Sequence, residues 1–397
     1  MTIETALTTP LQRSALAEIL AASATAGAPG LSLELIPYGG VLTPQNLDAP
    51  ERETAALFLG AAVHDLGWLR RVAVRGEDRS RWLSGMVTNS VEELAANSGA
   101  YNLVLNAQGR IQGDLYTWRE GDGLELEMTA DQAEALLAHL DRFIIMDDVE
   151  LVPLADESAL GLTGPKAEQV LASLSIPPLA ETLTSTAVTV SGAASGSTWT
   201  VPTHLRRIFG TLVPHYALWA KKEDIPKLWQ ALQAAGASRV GASALETLRI
   251  VEGIPTYGVD IQSRDLAQET SQTRALHYTK GCYLGQEIVE RIRSRGQVHR
   301  HLRALEIKPA SNVALPEAGT EFRLEGAADD SKAAAVLTSV ASLQLQGTRR
   351  IYALAMVRAE AEVGSRGLTY PGGTATLLNG PPQLTFPAGQ QAAEETA

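Results

Sequence analysis

Residues 279–292 of this 397-residue chain read Thr-Lys-Gly-Cys-Tyr-Leu-Gly-Gln-Glu-Ile-Val-Glu-Arg-Ile. The stretch holds the chain's single cysteine, Cys282, with Gly281 before it and Gly285 shortly after it. Glycines this close to a cysteine indicate a tight turn, or a close approach of the backbone to another group. The stretch therefore predicts a constrained loop that carries Cys282.

A helix is expected directly after this loop and would end at Gly296. Three apolar residues recur on one side of a 3.6-residue period: Ile288, Val289 and Ile292. Free N–H groups and the positive dipole end at a helix start favour a thiolate, and Lys280 would add to this effect, so Cys282 is a candidate reactive thiol. The alternative interpretation is that Cys282 is a small buried apolar residue.

The composition is that of an ordinary globular protein with 45% hydrophobic residues, and the length predicts two or three domains. A single cysteine excludes an internal disulfide and fits a reducing compartment. A net charge of −12 argues against general nucleic-acid binding. The first residues lack the features of a signal peptide, and no apolar run is long enough to span a membrane. We therefore expect a cytoplasmic, non-membrane protein, and also a monomer.

No metal site is predicted from the histidines. His299 and His301 are suitably spaced, but no third ligand accompanies them, and catalytic zinc needs three protein ligands. His277, upstream of Cys282, is a conceivable partner for the thiol.

The segment from Thr270 to Arg303 is basic within an acidic chain. It has only two negative residues, Glu287 and Glu290. Its positive residues are Arg274, Lys280, Arg291, Arg293, Arg295, Arg300 and Arg303. Two interpretations remain open: a solvated helix face with paired charges, or a local site for an anion.

The rest of the chain has an α+β pattern rather than a regular βαβ series. Tyr101–Leu105 and Arg110–Trp118 predict two antiparallel strands around a turn. Residues 180–198 are rich in small polar residues and are interpreted as a loop or a weak hairpin. From Val298 onward, short strand candidates separated by Gly, Pro and Asp predict a small β-barrel.

Helix boundaries are indicated at several places. Asp78 is a candidate N-cap, and Thr129 with Gln132 forms a capping-box pattern. Glu252 stands at the end of a predicted helix, just before Gly253, where the helix dipole disfavours an acidic residue. Glu252 is therefore either a solvated surface residue or a contact for a ligand.

Three stretches together resemble one family. Residues 280–287, Lys-Gly-Cys-Tyr-Leu-Gly-Gln-Glu, resemble the signature of the YgfZ-type folate-binding proteins, which support iron–sulfur cluster synthesis and repair. Residues 248–258 and 76–89 resemble segments that this family shares with the T-protein of the glycine cleavage system, an aminomethyltransferase. The resemblance covers roughly residues 60–385.

The resemblance implies an α+β fold in which three domains form a ring, ending in a C-terminal β-barrel, with tetrahydrofolate near the centre. We expect an N-terminal extension at 1–50, a folate-binding α+β region at 51–297, the barrel at 298–386 and a disordered tail at 387–397. The folate-binding region would contain two interleaved subdomains, the second at roughly 156–240.

The resemblance also implies a site. Glu252 matches the superfamily glutamate that binds the pterin. A carboxylate can accept two strong N–H hydrogen bonds from the 2-aminopyrimidinone edge of a pterin. Tyr101 and Asp114 match positions near the folate. The predicted folate-binding set also includes Arg274, Tyr283 and Gln286. Cys282 and Lys280 are the predicted catalytic residues.

Two departures separate this chain from T-protein. The Asp-Asp pair of T-protein reads Gly113-Asp114 here, so one carboxylate is missing. The Gly-Glu-Asp-Gly turn of T-protein is also missing around Phe209–Tyr216. Both departures argue against T-protein-type catalysis.

We therefore expect a tetrahydrofolate-binding accessory protein for iron–sulfur cluster assembly or repair, with Cys282 as a reactive thiol beside the folate. Its partners would be iron–sulfur enzymes or assembly factors. One alternative is an aminomethyltransferase that moves a one-carbon unit to tetrahydrofolate. Another is a folate-sensing module without thiol chemistry.

Overall fold

The computed structural model describes residues 10–25, 33–194, 197–310, 313–328, 330–363 and 367–384. The predicted disordered tail at 387–397 lies outside these residues.

The strands are β1 Leu35–Tyr38, β2 Val41–Pro44, β3 Ala62–Asp65, β4 Leu69–Arg75, β5 Ser98–Leu105, β6 Ile111–Glu120, β7 Gly123–Thr129, β8 Glu150–Pro153, β9 Glu157–Thr163, β10 Thr184–Ala194, β11 Ser197–Ile208, β12 His215–Lys221, β13 Ser238–Val240, β14 Arg300–Pro309, β15 Glu321–Leu324, β16 Ala335–Leu345, β17 Thr348–Arg358, β18 Leu368–Tyr370 and β19 Gly373–Leu377.

The α-helices are α1 Ala15–Thr25, α2 Pro50–Leu59, α3 Arg79–Met86, α4 Ala130–Asp141, α5 Ala167–Ser173, α6 Ile225–Ala234, α7 Ala242–Glu252, α8 Gln286–Arg295 and α9 Ala359–Glu362. Short 3₁₀ turns occupy Lys222–Asp224, Ala267–Thr270 and Thr273–Ala275.

Within the described residues, β3 to β13 form an 11-stranded sheet in the order β13-β3-β9-β12-β11-β10-β5-β6-β7-β4-β8. The two halves of this sheet join where Thr184 of β10 pairs with Ser98 of β5. We call β5, β6, β7, β4 and β8 the first half and the other strands the second half. The only parallel pairing among the described strands of this sheet is β13 with β3.

A buried charged layer connects the two halves. Arg206 of β11 has no exposed surface. Its Nη1 donates to Glu127 of β7 at 2.7 Å, and its Nη2 donates to Glu120 of β6 at 2.8 Å and to Glu125. Because β11 is not a sheet neighbour of β6 or β7, these contacts show that the sheet curls until its halves face each other.

The C-terminal strands close into a barrel in the order β14-β17-β16-β15-β18-β19. Along β16, odd positions from Ala335 to Leu345 are buried while the residues between them are not, which is the alternation of a strand with one face on a core. Helices α2 and α7 pack against this barrel, and a shared apolar cluster that includes Leu57, Leu248 and Leu354 continues from the sheet into it.

The fold therefore mixes helices and strands and ends in a closed, six-strand C-terminal barrel, as predicted.

Two local predictions need correction. Of the two interpretations of residues 180–198, the loop is wrong and the hairpin is right, and the hairpin is long rather than weak, because Thr184–Ala194 pairs along its length with Ser197–Ile208. Thr129 precedes α4 without making a side-chain cap. Its capping-box partner, Gln132, donates to the Thr129 hydroxyl at 3.0 Å and to Asp114 of β6 at 2.8 Å, while its Oε1 accepts from the backbone N–H of Asp114.

Asp78 precedes α3 but also makes no side-chain cap. Its carboxylate accepts hydrogen bonds from Arg81 and from the backbone N–H of Asp148, at 3.0 and 2.9 Å. The residue therefore ties α3 to the loop before β8, which is a tertiary role that local sequence cannot indicate.

Candidate functional site

Glu252 is the last residue of α7, which ends because Gly253 takes the left-handed conformation, with φ of 72°. Its side chain has no exposed surface. Its Oε1 accepts hydrogen bonds from the backbone N–H groups of Thr211, Leu212 and Val213, at 3.1, 2.9 and 3.4 Å. These donors offset the unfavourable end of the helix dipole. The interpretation of Glu252 as a solvated surface residue is therefore wrong.

The second oxygen of Glu252 has no hydrogen-bond partner. Oε2 lies 3.0 Å from Nε2 of His215, but the angles do not form a hydrogen bond, and both atoms are buried. His215 leads through Thr163 to His64: Nδ1 of His215 is 3.5 Å from Oγ1 of Thr163, which is 3.0 Å from Nε2 of His64. A short polar chain therefore runs from β3 to the carboxylate at the end of α7.

A cavity of about 510 Å³ lies beside Glu252, between the C-terminal end of α7 and the barrel. Its walls include Thr211, Glu252, Ser271, Gln272, Arg303 and Leu378. This volume is within the range of pockets that hold drug-sized ligands. On the barrel side, Arg303 and His301 both contact the carboxylate of Glu362, with His301 Nδ1 at 2.7 Å.

Tyr101 and Asp114 contact each other across the β5–β6 pair. The hydroxyl of Tyr101 donates to Oδ2 of Asp114 at 2.7 Å, and Nε2 of Gln132 donates to Oδ1 at 2.8 Å. Burial raises the pKa of Asp114, and the bonds from Gln132 and Tyr101 oppose that rise. Burial also raises the pKa of Tyr101, so this hydroxyl remains a donor.

Arg274 lies between two aromatic rings. Its Cζ is 4.1 Å from the ring centre of Tyr101 and 3.8 Å from that of Phe209. Its N–H groups donate to the hydroxyl of Tyr116 at 3.1 Å and to the side chain of Gln272 at 3.2 Å. Among the described residues, no carboxylate lies within 4.0 Å of this guanidinium.

The basic segment 270–303 is thus neither simply a paired helix face nor one anion site. Arg293 pairs with Glu290 on α8, at 3.5 Å. Arg300 pairs with Asp265 and Glu269, at 2.6 and 3.1 Å.

Cys282 is exposed, so the interpretation as a buried apolar residue is wrong. It lies in the turn before α8, where Gly285 takes a φ of 83° and a Cβ would lie 2.6 Å from the carbonyl oxygen of Asn106. Helix α8 ends at Gly296 as predicted, although that glycine is extended rather than left-handed.

Lys280 anchors the turn that carries Cys282. Its Nζ donates to the carbonyl oxygens of Ser84, Val87 and Asn89, at 2.7, 2.6 and 2.7 Å. Burial lowers the pKa of Lys280 to about 8. All three N–H donors of the ammonium are therefore used to anchor the loop to the end of α3.

Tyr283 and Gln286 close the same turn. The backbone N–H of Tyr283 donates to Oε1 of Gln286 at 3.2 Å, and the N–H of Gln286 donates back to the Tyr283 carbonyl at 3.1 Å. Tyr283 is buried, and this burial raises its pKa.

The predicted residues therefore form two groups. Glu252 and the Tyr101–Asp114–Arg274 cluster meet through Gln272 and the segment 209–213. Lys280, Cys282, Tyr283 and Gln286 form the second group, at the start of α8.

Asn89 links the two groups. Its Nδ2 donates to the carbonyls of Tyr101 and Arg274, at 3.2 and 2.8 Å, while its own carbonyl accepts from Lys280. The sequence did not predict the roles of Asn89, His215 and Gln132. Of these, only Gln132 belonged to a recognised pattern, the capping box with Thr129, and that pattern was interpreted as a helix cap.

His277 does not extend these groups. Nε2 of His277 faces Glu93 at 3.5 Å. Within the part of the chain that the structure describes, no group of three His, Cys, Asp or Glu side chains could hold a metal ion. None of the described helices is long and apolar enough to cross a membrane.

The chain belongs to the GCVT N-terminal domain family, which matches residues 37–280. Among similar proteins is the aminomethyltransferase of Rubrobacter xylanophilus, 28% identical over 275 residues, which cover 67% of this chain and 70% of that protein. The aminomethyltransferase of Halalkalibacterium halodurans is 26% identical over 344 residues, or 85% of this chain and 90% of the relative.

One solved structure has the same fold across nearly the whole chain. It is the glycine cleavage system aminomethyltransferase T from Bartonella henselae, with a TM-score of 0.75 at 18% identity. The alignment covers 93% of this chain and 97% of that one.

Proposed function

We propose that this protein binds tetrahydrofolate and acts as an accessory factor in iron–sulfur cluster assembly or repair, with Cys282 as its reactive thiol. The observation that carries the proposal is the cavity beside Glu252, a buried carboxylate whose Oε2 makes no hydrogen bond and lies 3.0 Å from Nε2 of His215. A buried acceptor of this kind is costly unless a donor reaches it.

The residues fit a reduced pterin. Its amino and ring N–H groups would meet Glu252, and the ring of Tyr101, which stacks on Arg274, lies in the aromatic part of the site. When bound, the folate would supply one-carbon chemistry. The chain's own residues would bind and orient it.

The exposure of Cys282 supports thiol chemistry. A reactive cysteine must be accessible, and this one lies on a loop that Lys280 anchors to the end of α3. The client would be an iron–sulfur enzyme or an assembly factor in the cytoplasm.

The second candidate is an aminomethyltransferase, which the names of the relatives favour. The environment of Gly113 opposes it. A Cβ there would lie 2.7 Å from Oε1 of Gln132 and 3.0 Å from Leu136, so a carboxylate at this position would require the Gln132 side chain to move away from Asp114.

Tetrahydrofolate titration tests the binding step. We expect wild type to bind, and Glu252→Gln to bind at least about tenfold more weakly, because the neutral amide loses a charge-assisted bond. Glu246→Gln, on the same helix but bonded to Arg249, is the matched control and should bind like wild type. Equal binding by all three proteins would show that Glu252 does not contact the ligand.

Complementation tests the thiol. In cells that lack the native protein, Cys282→Ala should fail to restore the activity of labile iron–sulfur enzymes, whereas wild type should restore it. Full rescue by Cys282→Ala would refute the role of the thiol. Formation of methylene-tetrahydrofolate from an aminomethylated lipoyl protein would favour the aminomethyltransferase instead.

A further inference from the structure

The segment Phe209–Pro214 connects β11 to β12 and contacts two predicted ligand-binding residues, Glu252 and Arg274. It is half-buried, apart from the exposed Thr211, and it takes no part in the strand ladder. Three consecutive N–H groups of this segment, those of Thr211, Leu212 and Val213, converge on Oε1 of Glu252. The hydroxyl of Thr211 also donates to the carbonyl of Glu252, at 3.0 Å.

The same segment closes the aromatic part of the site. The Phe209 ring lies 3.8 Å from Cζ of Arg274, on which Tyr101 stacks at 4.1 Å. Leu212 and Val213 pack against the apolar cluster between the sheet and the barrel. Gly210 allows the close fit, because a Cβ there would lie 2.2 Å from the His215 ring.

The segment therefore presents one flat ring and a row of N–H donors, which are the features that a reduced pterin would present. Both Glu252 Oε2 and His215 Nε2 are buried beneath it. A ligand cannot reach the carboxylate while these atoms are covered.

We propose that Phe209–Pro214 is an internal plug that occupies the ring-binding part of the site and withdraws when ligand enters. The proposal rests on the proposed folate function for the identity of the ligand. Withdrawal would free Glu252 to accept the donors of the ligand, and it would uncover the face of Arg274 that Phe209 covers.

Hydrogen exchange on the full chain without ligand is the first test. The 209–213 amides should open as a unit and exchange faster than those of β12, since they lie outside the ladder. Glu252→Gln should speed their exchange by about tenfold or more, because the carboxylate is a stronger acceptor than an amide. Glu246→Gln, which does not touch the segment, should leave it unchanged. Equal exchange in wild type and Glu252→Gln would overturn the plug.

Tetrahydrofolate is the probe for the second test. Its binding should speed exchange at 211–213, and Phe209→Ala, which removes the ring from Arg274, should raise its association rate severalfold. Binding that leaves exchange at 211–213 unchanged or slower would refute the plug but keep the folate function. Failure of tetrahydrofolate to bind either protein would refute the folate function, and the exchange comparison of wild type with Glu252→Gln would still decide the plug.

Discussion

Lys280 shows how a residue's role can differ from what its sequence position indicates. The position of Lys280 next to Gly281 and Cys282 predicts a cation that would stabilise a thiolate. In the structure its ammonium is buried and donates to three carbonyls at the end of α3. Its effect on the thiol stays a prediction, while its contacts give it a clear anchoring role.

Replacement of Lys280 by Met should destabilise the fold by about 1–3 kcal/mol, because three carbonyls lose their donor. Denaturant unfolding measures this free energy. Lys308→Met, at an exposed position of β14, is the control and should change stability by less than about 0.5 kcal/mol. A change in Lys280→Met as small as in the control would contradict the anchoring role.

Cys282 should react with a thiol-alkylating reagent in the native protein, at a rate no lower than that in denaturant, because its side chain is exposed. Cys282→Ser should leave the free energy of unfolding within about 0.5 kcal/mol of wild type, as is usual for surface substitutions. Mass spectrometry follows the modification. Reaction only after unfolding would show that the loop covers the thiol in solution.

At the scale of elements, β3, β9 and β12 hold a buried histidine in place. The ring of His64 lies over Gly161 of β9, where a Cβ would come within 1.8 Å of it. Its Nε2 contacts Thr163 at 3.0 Å. Burial lowers the pKa of His64 to about 4 from its ordinary value of 6.5.

The lowered pKa of His64 predicts how the free energy of unfolding depends on pH. Between pH 6.5 and about 4 the unfolded chain takes up a proton at His64 that the folded protein does not, so stability falls as pH drops. The full loss below the folded pKa should be about 3 kcal/mol. His64→Gln should lose less stability than wild type between pH 7 and pH 4 in denaturant titrations. Equal losses in the two proteins would contradict the assignment.

At the scale of the whole molecule, the buried charged layer decides how the two sheet halves meet. Arg206 stacks on Trp118, with its Cζ 4.6 Å from the ring centre, and contacts three glutamates. Burial raises the pKa of Glu120, but the bonds from His204 and Arg206 more than reverse this and bring it to about 2. Glu120 is therefore a charged partner of Arg206 rather than a neutral acid.

Replacement of Arg206 by Met should cost about 3–5 kcal/mol, because it leaves buried carboxylates without their cation. Arg52→Met, which removes an exposed ion pair with Asp48, should cost less than about 1 kcal/mol. Thermal unfolding of both variants measures the difference. If Arg206→Met were as stable as the control, the layer would not hold the halves together.

The sequence by itself determined most of the elements. The alternation along β16, the end of α7 at Gly253 and the helix after Gly285 all follow from local rules of period and backbone conformation. It also indicated the relation to aminomethyltransferases, through residues 76–89 and 248–258. These features are readable because each depends on residues that are neighbours along the chain.

Tertiary structure alone decided the arrangement of the site. Gln132 donates to Asp114 of a neighbouring strand, Lys280 donates to carbonyls at the end of α3, and the backbone N–H groups of 211–213 donate to Glu252. These partners are 18 to 196 positions apart. The physical reason is that a buried polar group must find a partner wherever the fold brings one, and this pairing leaves no periodic trace in the sequence.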